Sequence, residues 1–84
     1  MTSLRIDKLL WHLRLTKSRS MAQALIATGH VRLNGMRVEK ASVDVKAGDV
    51  LTLPKGDGAI AIRILTIPPR RGPASEAQSC YTII

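Results

Sequence analysis

Aromatic side chains are almost missing from this sequence. Phe is absent, and Trp11 and Tyr81 stand alone. Any core must therefore be assembled from Leu, Ile, Val, Ala and Met. Cysteine is nearly absent too. Cys80 has no second thiol to pair with, which excludes an intramolecular disulfide and any cysteine-based metal cluster. A short chain without a disulfide scaffold fits a reducing compartment. No apolar run approaches the roughly 20 residues that span a bilayer. The N-terminus lacks the unbroken apolar stretch and cleavage site of a signal peptide. A cytoplasmic protein that does not engage membranes is the expectation. Catalytic and cofactor patterns are also lacking: there is no Gly-rich phosphate loop, no Ser nucleophile motif and no supported Cys–His arrangement. His12 and His30 are isolated, without metal-ligand spacing. The chain is expected to be no enzyme and to hold no metal and no cofactor.

Acidic residues are scarce as well, and this shortage is informative. Thirteen Lys and Arg face six Asp and Glu, for a net charge of +7 on 84 residues. A field of that sign favours polyanions. Eight of the cations lie within residues 1–40 (Arg5, Lys8, Arg14, Lys17, Arg19, Arg32, Arg37 and Lys40) against two acids, Asp7 and Glu39. Residues 41–69 are balanced, and residues 70–84 carry a net +1. The anion-binding surface is thereby expected in the first half. With 45% hydrophobic residues the chain is apolar enough to fold, and its length allows one domain.

Ile6, Leu9, Leu10 and Leu13 fall at the i, i+3, i+4, i+7 spacing of an amphipathic helix. Thr16 and Lys17 interrupt the pattern, and Ser18 is a suitable N-cap for a second helix. Met21, Ala22, Leu25 and Ile26 would form the apolar face of that helix, and Gly29 would stop it. The period then changes from helical to alternating. Asn34-Gly35 between two short alternating runs signals a tight hairpin, because both turn positions need positive φ. Val43 and Val45 alternate with Asp44, Gly48-Asp49 marks a turn, and 50–53 reads as a strand. Residues 54–58 read as a polar loop. Residues 59–67 read as a strand with Ile60, Ile62 and Ile64 on one face, ended by Pro68-Pro69. The fold expected is α+β: two N-terminal helices on a small, mainly antiparallel, twisted sheet. A domain over 1–69 would carry a tail, 70–84, packed on it or extending from it, with a short helix within 74–81.

At about 100° per residue, Arg5, Lys8 and His12 share one flank of the first helix, and Asp7, Trp11 and Arg14 share the other. Arg19 and Gln23 lie together on the second helix at i, i+4. Lys17 sits between the helices. A helix start offers free N–H groups and partial positive charge, so Ser18-Arg19 is a candidate phosphate seat, and Arg can fork onto phosphate oxygens. Arg32, Asn34 and Arg37 on the hairpin would lie beside this surface. Any one of these side chains is as often an ordinary solvated residue; the set is more telling, because acids are missing around it. Trp11 either stacks on an unpaired base or packs against the tail or a neighbouring element. Asp7 either serves the helix start or pairs with Arg14. His12 either joins the basic flank or is a plain surface histidine.

Several segments in this order resemble one known family: Arg5-Ile6-Asp7-Lys8-Leu9-Leu10, Lys17-Ser18-Arg19, Ala22 with Ile26, Gly29 to Gly35, and Gly48-Asp49. That family is the RNA-binding domain first known from ribosomal protein S-four, the alpha-L RNA-binding motif, and the similarity runs over residues 4–53. Arg70-Arg71-Gly72-Pro73-Ala74-Ser75-Glu76-Ala77 and Tyr81-Thr82 resemble the stand-alone members, which include heat-shock-induced and ribosome quality-control proteins. The resemblance implies binding to structured RNA, ribosomal RNA with or without tRNA, on a large ribosomal subunit carrying a stalled nascent chain. It implies Arg5, Lys8, Arg14, Lys17, Ser18, Arg19, Arg32, Asn34 and Arg37 as RNA-facing positions; Gln23 joins them from its place beside Arg19. A monomer is expected. Two rival readings stand beside it: a DNA-binding helix-turn-helix protein, which would usually dimerise to read two half-sites, and an adaptor that docks an acidic protein partner.

Overall fold

The stripe Ile6, Leu9, Leu10 and Leu13 is fully buried and forms one wall of the core. The structure, a computed structural model, describes residues 2–84. Strand β1 (Ser3–Arg5) leads directly into α1 (Ile6–His12). Arg14 then takes the left-handed conformation, φ 59°, which ends α1. That conformation costs a non-glycine residue roughly 1 kcal/mol. Helix α2 (Arg19–Ala27) begins at Ser18, whose Oγ accepts the Met21 N–H at 3.1 Å. It ends where Gly29 adopts φ 80°. Both the expected cap and the expected stop are present.

Strands β2 (Arg32–Leu33) and β3 (Met36–Arg37) form the hairpin, with Asn34 at φ 52° and Gly35 at φ 85° in its turn. Strand β4 (Asp44–Lys46) pairs antiparallel with β1 in a separate two-stranded sheet. The main sheet is antiparallel throughout, in the order β3-β2-β5-β6-β7, with β5 spanning Val50–Lys55, β6 Gly58–Ile64 and β7 Tyr81–Ile83. Leu51, Leu53, Ile62 and Ile64 meet the α1 stripe, Ala22, Ile26 and Val31 in one core. The α+β fold read from the sequence is the one the chain adopts.

Three expectations are corrected. The polar loop over 54–58 shrinks to a tight turn at Gly56-Asp57, because β5 continues through Pro54 and Lys55 opposite Ala59 and Gly58. Pro54 is tolerated there because β2 pairs with β5 only at Leu51 and Thr52, which leaves one side of Pro54 without a ladder partner. The following strand stops at Ile64, not at residue 67. Met21 is 51% exposed, outside the core face of α2, where only Ala22 and Ile26 are fully buried. Beyond Pro68-Pro69 the chain forms α3 (Ala74–Gln78), matching the expected short helix, and then β7, which sequence periodicity did not indicate. Strand β7 pairs with β6 through Ile62–Ile83, Arg63–Thr82 and Ile64–Tyr81.

Candidate nucleic-acid interface

Asp7 lies at the start of α1 with no exposed surface. Its Oδ1 accepts from Arg5 Nε at 3.2 Å and from the Lys8 backbone N–H at 2.8 Å. Its Oδ2 accepts from Arg5 Nη2 at 3.2 Å, Arg19 Nε at 3.2 Å and Gln23 Nε2 at 2.9 Å. Burial pushes the carboxyl group upward, but the bonds from Gln23, Arg5, Arg19 and the Lys8 N–H outweigh it and bring the pKa down to about 2. One buried carboxylate thus draws three candidate side chains, from β1 and α2, onto a common anchor. Arg5 and Arg19 remain 45% and 40% exposed. Arg19 spends only Nε on Asp7, which leaves its two terminal amino groups as a fork suited to a phosphate. Lys17 is exposed beside the capped start of α2 and has no acidic partner among the described residues. Lys8, half-buried on α1, has none either.

The hairpin cations form a second group. Arg32 and Arg37 are direct cross-strand partners, and both are exposed. Like charges placed opposite each other are unfavourable by a few tenths of a kcal/mol, a cost that a bound anion would reverse. Arg32 Nη1 donates to Gly35 O at 3.3 Å. The Arg37 side chain passes close to Gly29 at the C-terminal end of α2. The two groups are therefore separated by the nine residues of α2, about 14 Å at 1.5 Å per residue.

Two candidates have other attachments. Asn34 Nδ2 donates to Asp49 Oδ1 at 3.1 Å, and its Oδ1 accepts the Val50 N–H at 2.9 Å. Its amide clamps the hairpin to the start of β5. Asp49 also accepts from the Lys46 N–H and Nζ, and these bonds hold its carboxyl low against the upward push of burial. Arg14 donates Nε to Gly72 O at 2.6 Å and so ties the end of α1 to the tail.

The flanks of α1 also differ in part from expectation. Asp7 serves the helix start, as one reading had it, but its ion-pair partners are Arg5 and Arg19, not Arg14. His12 is a buried residue: Nδ1 lies 3.3 Å from Pro68 O, at hydrogen-bonding distance. It is neither on the basic flank nor on the surface, because Pro68 and the tail residues Gly72, Ala77 and Cys80 lie on that side of α1. Trp11 packs against the tail, with the Arg71 guanidinium 5.8 Å from its ring centroid and Arg71 Nε donating to Trp11 O at 3.1 Å. Arg71 therefore sits next to Asp7's flank of α1, since Trp11 follows Asp7 by one turn. Sequence reasoning missed this cation because 60 residues separate it from Trp11. Its only signal was a lone exposed-register Trp in a chain whose tail carries Arg-Arg.

The candidate cations thus lie on a helix-loop-helix, with a hairpin at its far end and an antiparallel sheet behind it. The chain belongs to the S4 domain family, which matches residues 4–51. It is 40% identical over 77 residues to the heat shock protein 15 homolog of Haemophilus influenzae, covering 92% of this chain and 58% of that protein. The chain thus spans little more than half the length of that relative. It is 35% identical over 81 residues to the RQC P-site tRNA stabilizing factor of Bacillus subtilis, covering 96% of this chain and 92% of that factor. Its structure superposes on heat shock protein 15 of Vibrio cholerae, described as trimeric, with a TM-score of 0.91 at 37% identity, covering 99% of this chain and 83% of that one.

Proposed function

We propose that this chain is a non-enzymatic, cytoplasmic RNA-binding module. It recognises structured RNA on the large ribosomal subunit, ribosomal RNA with or without tRNA, during rescue or recycling of stalled nascent-chain complexes. One observation carries the reading: the buried Asp7 carboxylate aligns Arg5, Arg19 and Gln23, and Lys17, at the capped start of α2, has no acidic partner among the described residues. The carboxylate holds the two guanidinium groups in place before a phosphate backbone arrives, which lowers the ordering cost of binding. The hairpin pair Arg32 and Arg37 would engage the same backbone farther along. Family membership and the tRNA-stabilizing function named in the Bacillus relative support the ribosomal setting.

Affinity in this reading comes from phosphate neutralisation, and selectivity from the shape of folded RNA. Binding to a ribosomal RNA fragment, followed across a salt series, should show a log–log slope of about −3 to −6, corresponding to ~4–7 phosphate contacts. A flat salt response would sink the proposal. Lys17→Ala and Arg19→Ala should each weaken binding and reduce the slope by about 1. The melting temperature should hardly move for Lys17→Ala, which breaks no internal bond. Crosslinking in cells followed by sequencing of the attached RNA should recover large-subunit ribosomal RNA and tRNA. Equal recovery of messenger RNA would remove the ribosomal part of the reading, and equal affinity for duplex DNA would remove the RNA part.

A further inference from the structure

Two of the large apolar side chains left exposed, Met21 at 51% and Ile83 at 62%, line neighbouring hollows on one side of the molecule. One hollow, of about 300 Å³, lies between the α1–α2 connection and strands β5, β6 and β7. The other, of about 510 Å³, runs along α2. Leu15, Leu25 and Pro54 line both, so the two form one continuous apolar groove from α2 to the edge strand. The charged residues along it are Arg14, Lys17 and Lys55, and no acid lines it. None of these three cations has an acidic partner among the described residues. An apolar groove with an unneutralised cationic rim is the complement of an amphipathic segment bearing acids on its flanks.

We infer that this groove docks an acidic amphipathic helix of a neighbouring protein. The chemistry of the groove separates three candidate occupants. RNA fits poorly, because Tyr81 is the only aromatic along the groove and aliphatic walls neither stack on bases nor hydrogen-bond their edges. A second copy related by a two-fold axis fits poorly too, because that self-complementary contact would set one cationic rim against another on molecules of charge +7. An acidic helix satisfies both features at once: its apolar stripe fills the groove, and its carboxylates meet Arg14, Lys17 and Lys55. Lys17 belongs also to the proposed phosphate seat, so a docked protein would lie directly beside bound RNA.

The test uses the full chain and a fluorescein-labelled synthetic 15-residue helix with Leu at i, i+3, i+4, i+7 and i+11 and Glu on its flanks. Fluorescence anisotropy should show saturable binding. A matched peptide with Lys in place of Glu should bind at least roughly tenfold more weakly, and so should one with Ser in place of Leu. Met21→Gln and Ile83→Thr should each weaken the Glu peptide by several-fold to roughly tenfold. Both variants keep the charge; Gln at position 21 suits the third position of a helix capped by Ser18, and Thr suits a strand. Lys55→Glu should shift preference from the Glu peptide toward the Lys peptide. Melting curves establish that each variant is folded, and RNA affinity of Met21→Gln and Ile83→Thr should stay within about twofold of the parent. The inference is overturned if the Glu peptide does not saturate the parent chain, or if both apolar variants bind it unchanged. It is equally overturned if a structured RNA displaces the peptide in proportion from the parent and a Lys17→Ala chain alike. Sedimentation showing self-association that Met21→Gln abolishes would assign the groove to a second copy and overturn it as well.

Discussion

A carboxyl group with no solvent exposure ordinarily titrates upward, because burial penalises the charged form. Asp7 goes the other way, to about 2, because five donated hydrogen bonds from Arg5, Lys8, Arg19 and Gln23 favour the anion. A depressed pKa contributes stability that is present above the unfolded value, 3.8, and is lost as pH falls through the folded value, about 2. The linked amount is about 2 kcal/mol. Asp7→Asn should cost about 2–4 kcal/mol at neutral pH, since it leaves Arg5 and Arg19 facing an amide. It should also flatten the acid limb of the stability profile between pH 4 and 2, leaving the part contributed by Asp49. Chemical denaturation at a series of pH values checks both, and an unaltered acid limb would show that Asp7 is not the linked group. RNA affinity should fall in the same variant, because Arg5 and Arg19 lose their alignment.

The hairpin raises a different question at the level of elements, because its turn residue has two readings. Asn34 stands among the expected RNA contacts, yet its amide bonds Asp49 and the Val50 N–H and its backbone occupies the left-handed region. Asn tolerates that conformation better than other non-glycine residues. Asn34→Ala should therefore cost about 1 kcal/mol by removing two hydrogen bonds, since Asp49 Oδ1 keeps Lys46 Nζ and the Val50 N–H is exposed to water. Its RNA affinity, measured below the melting range, should drop less than that of Arg32→Ala or Arg37→Ala. A loss of affinity larger than theirs, without a stability change, would return Asn34 to the interface. The hairpin's existence was legible from Asn34-Gly35 alone, since both positions require positive φ. The clamp was not legible, because Asp49 lies 15 residues downstream and no local pattern links the two.

For the whole molecule, the tail closes the fold. Cys80 O accepts from the Leu65 and Thr66 N–H groups, and β7 covers the edge of β6 beside the buried Ile62 and Ile64. Removing residues 80–84 should lower stability by about 2–3 kcal/mol through lost burial and an uncovered strand edge. Urea unfolding would show this as a lower midpoint. The folded fraction should keep RNA affinity within about twofold, because the cationic surface lies in the first forty residues. Unchanged unfolding would mean that β7 adds nothing to the sheet. A net charge of +7 concentrated on one half of the chain should also make association with RNA fast and salt-sensitive.

By itself, the amino-acid order determined the two helices, their cap and stop, the hairpin turn, most of the core stripe and the region where positive charge gathers. These are local properties: periodicity, φ requirements and composition act over a few residues. Only the tertiary structure decided that Asp7 is the anchor for Arg5, Arg19 and Gln23, that the tail buries His12 and brings Arg71 to Trp11, and that Met21 faces outward. Apart from the Arg5–Asp7 pair, two residues apart, the contacts among these join surfaces across 12 to 60 residues of chain. The anion-binding surface first legible as a count of cations thus becomes, in three dimensions, a set of donors held by one buried carboxylate.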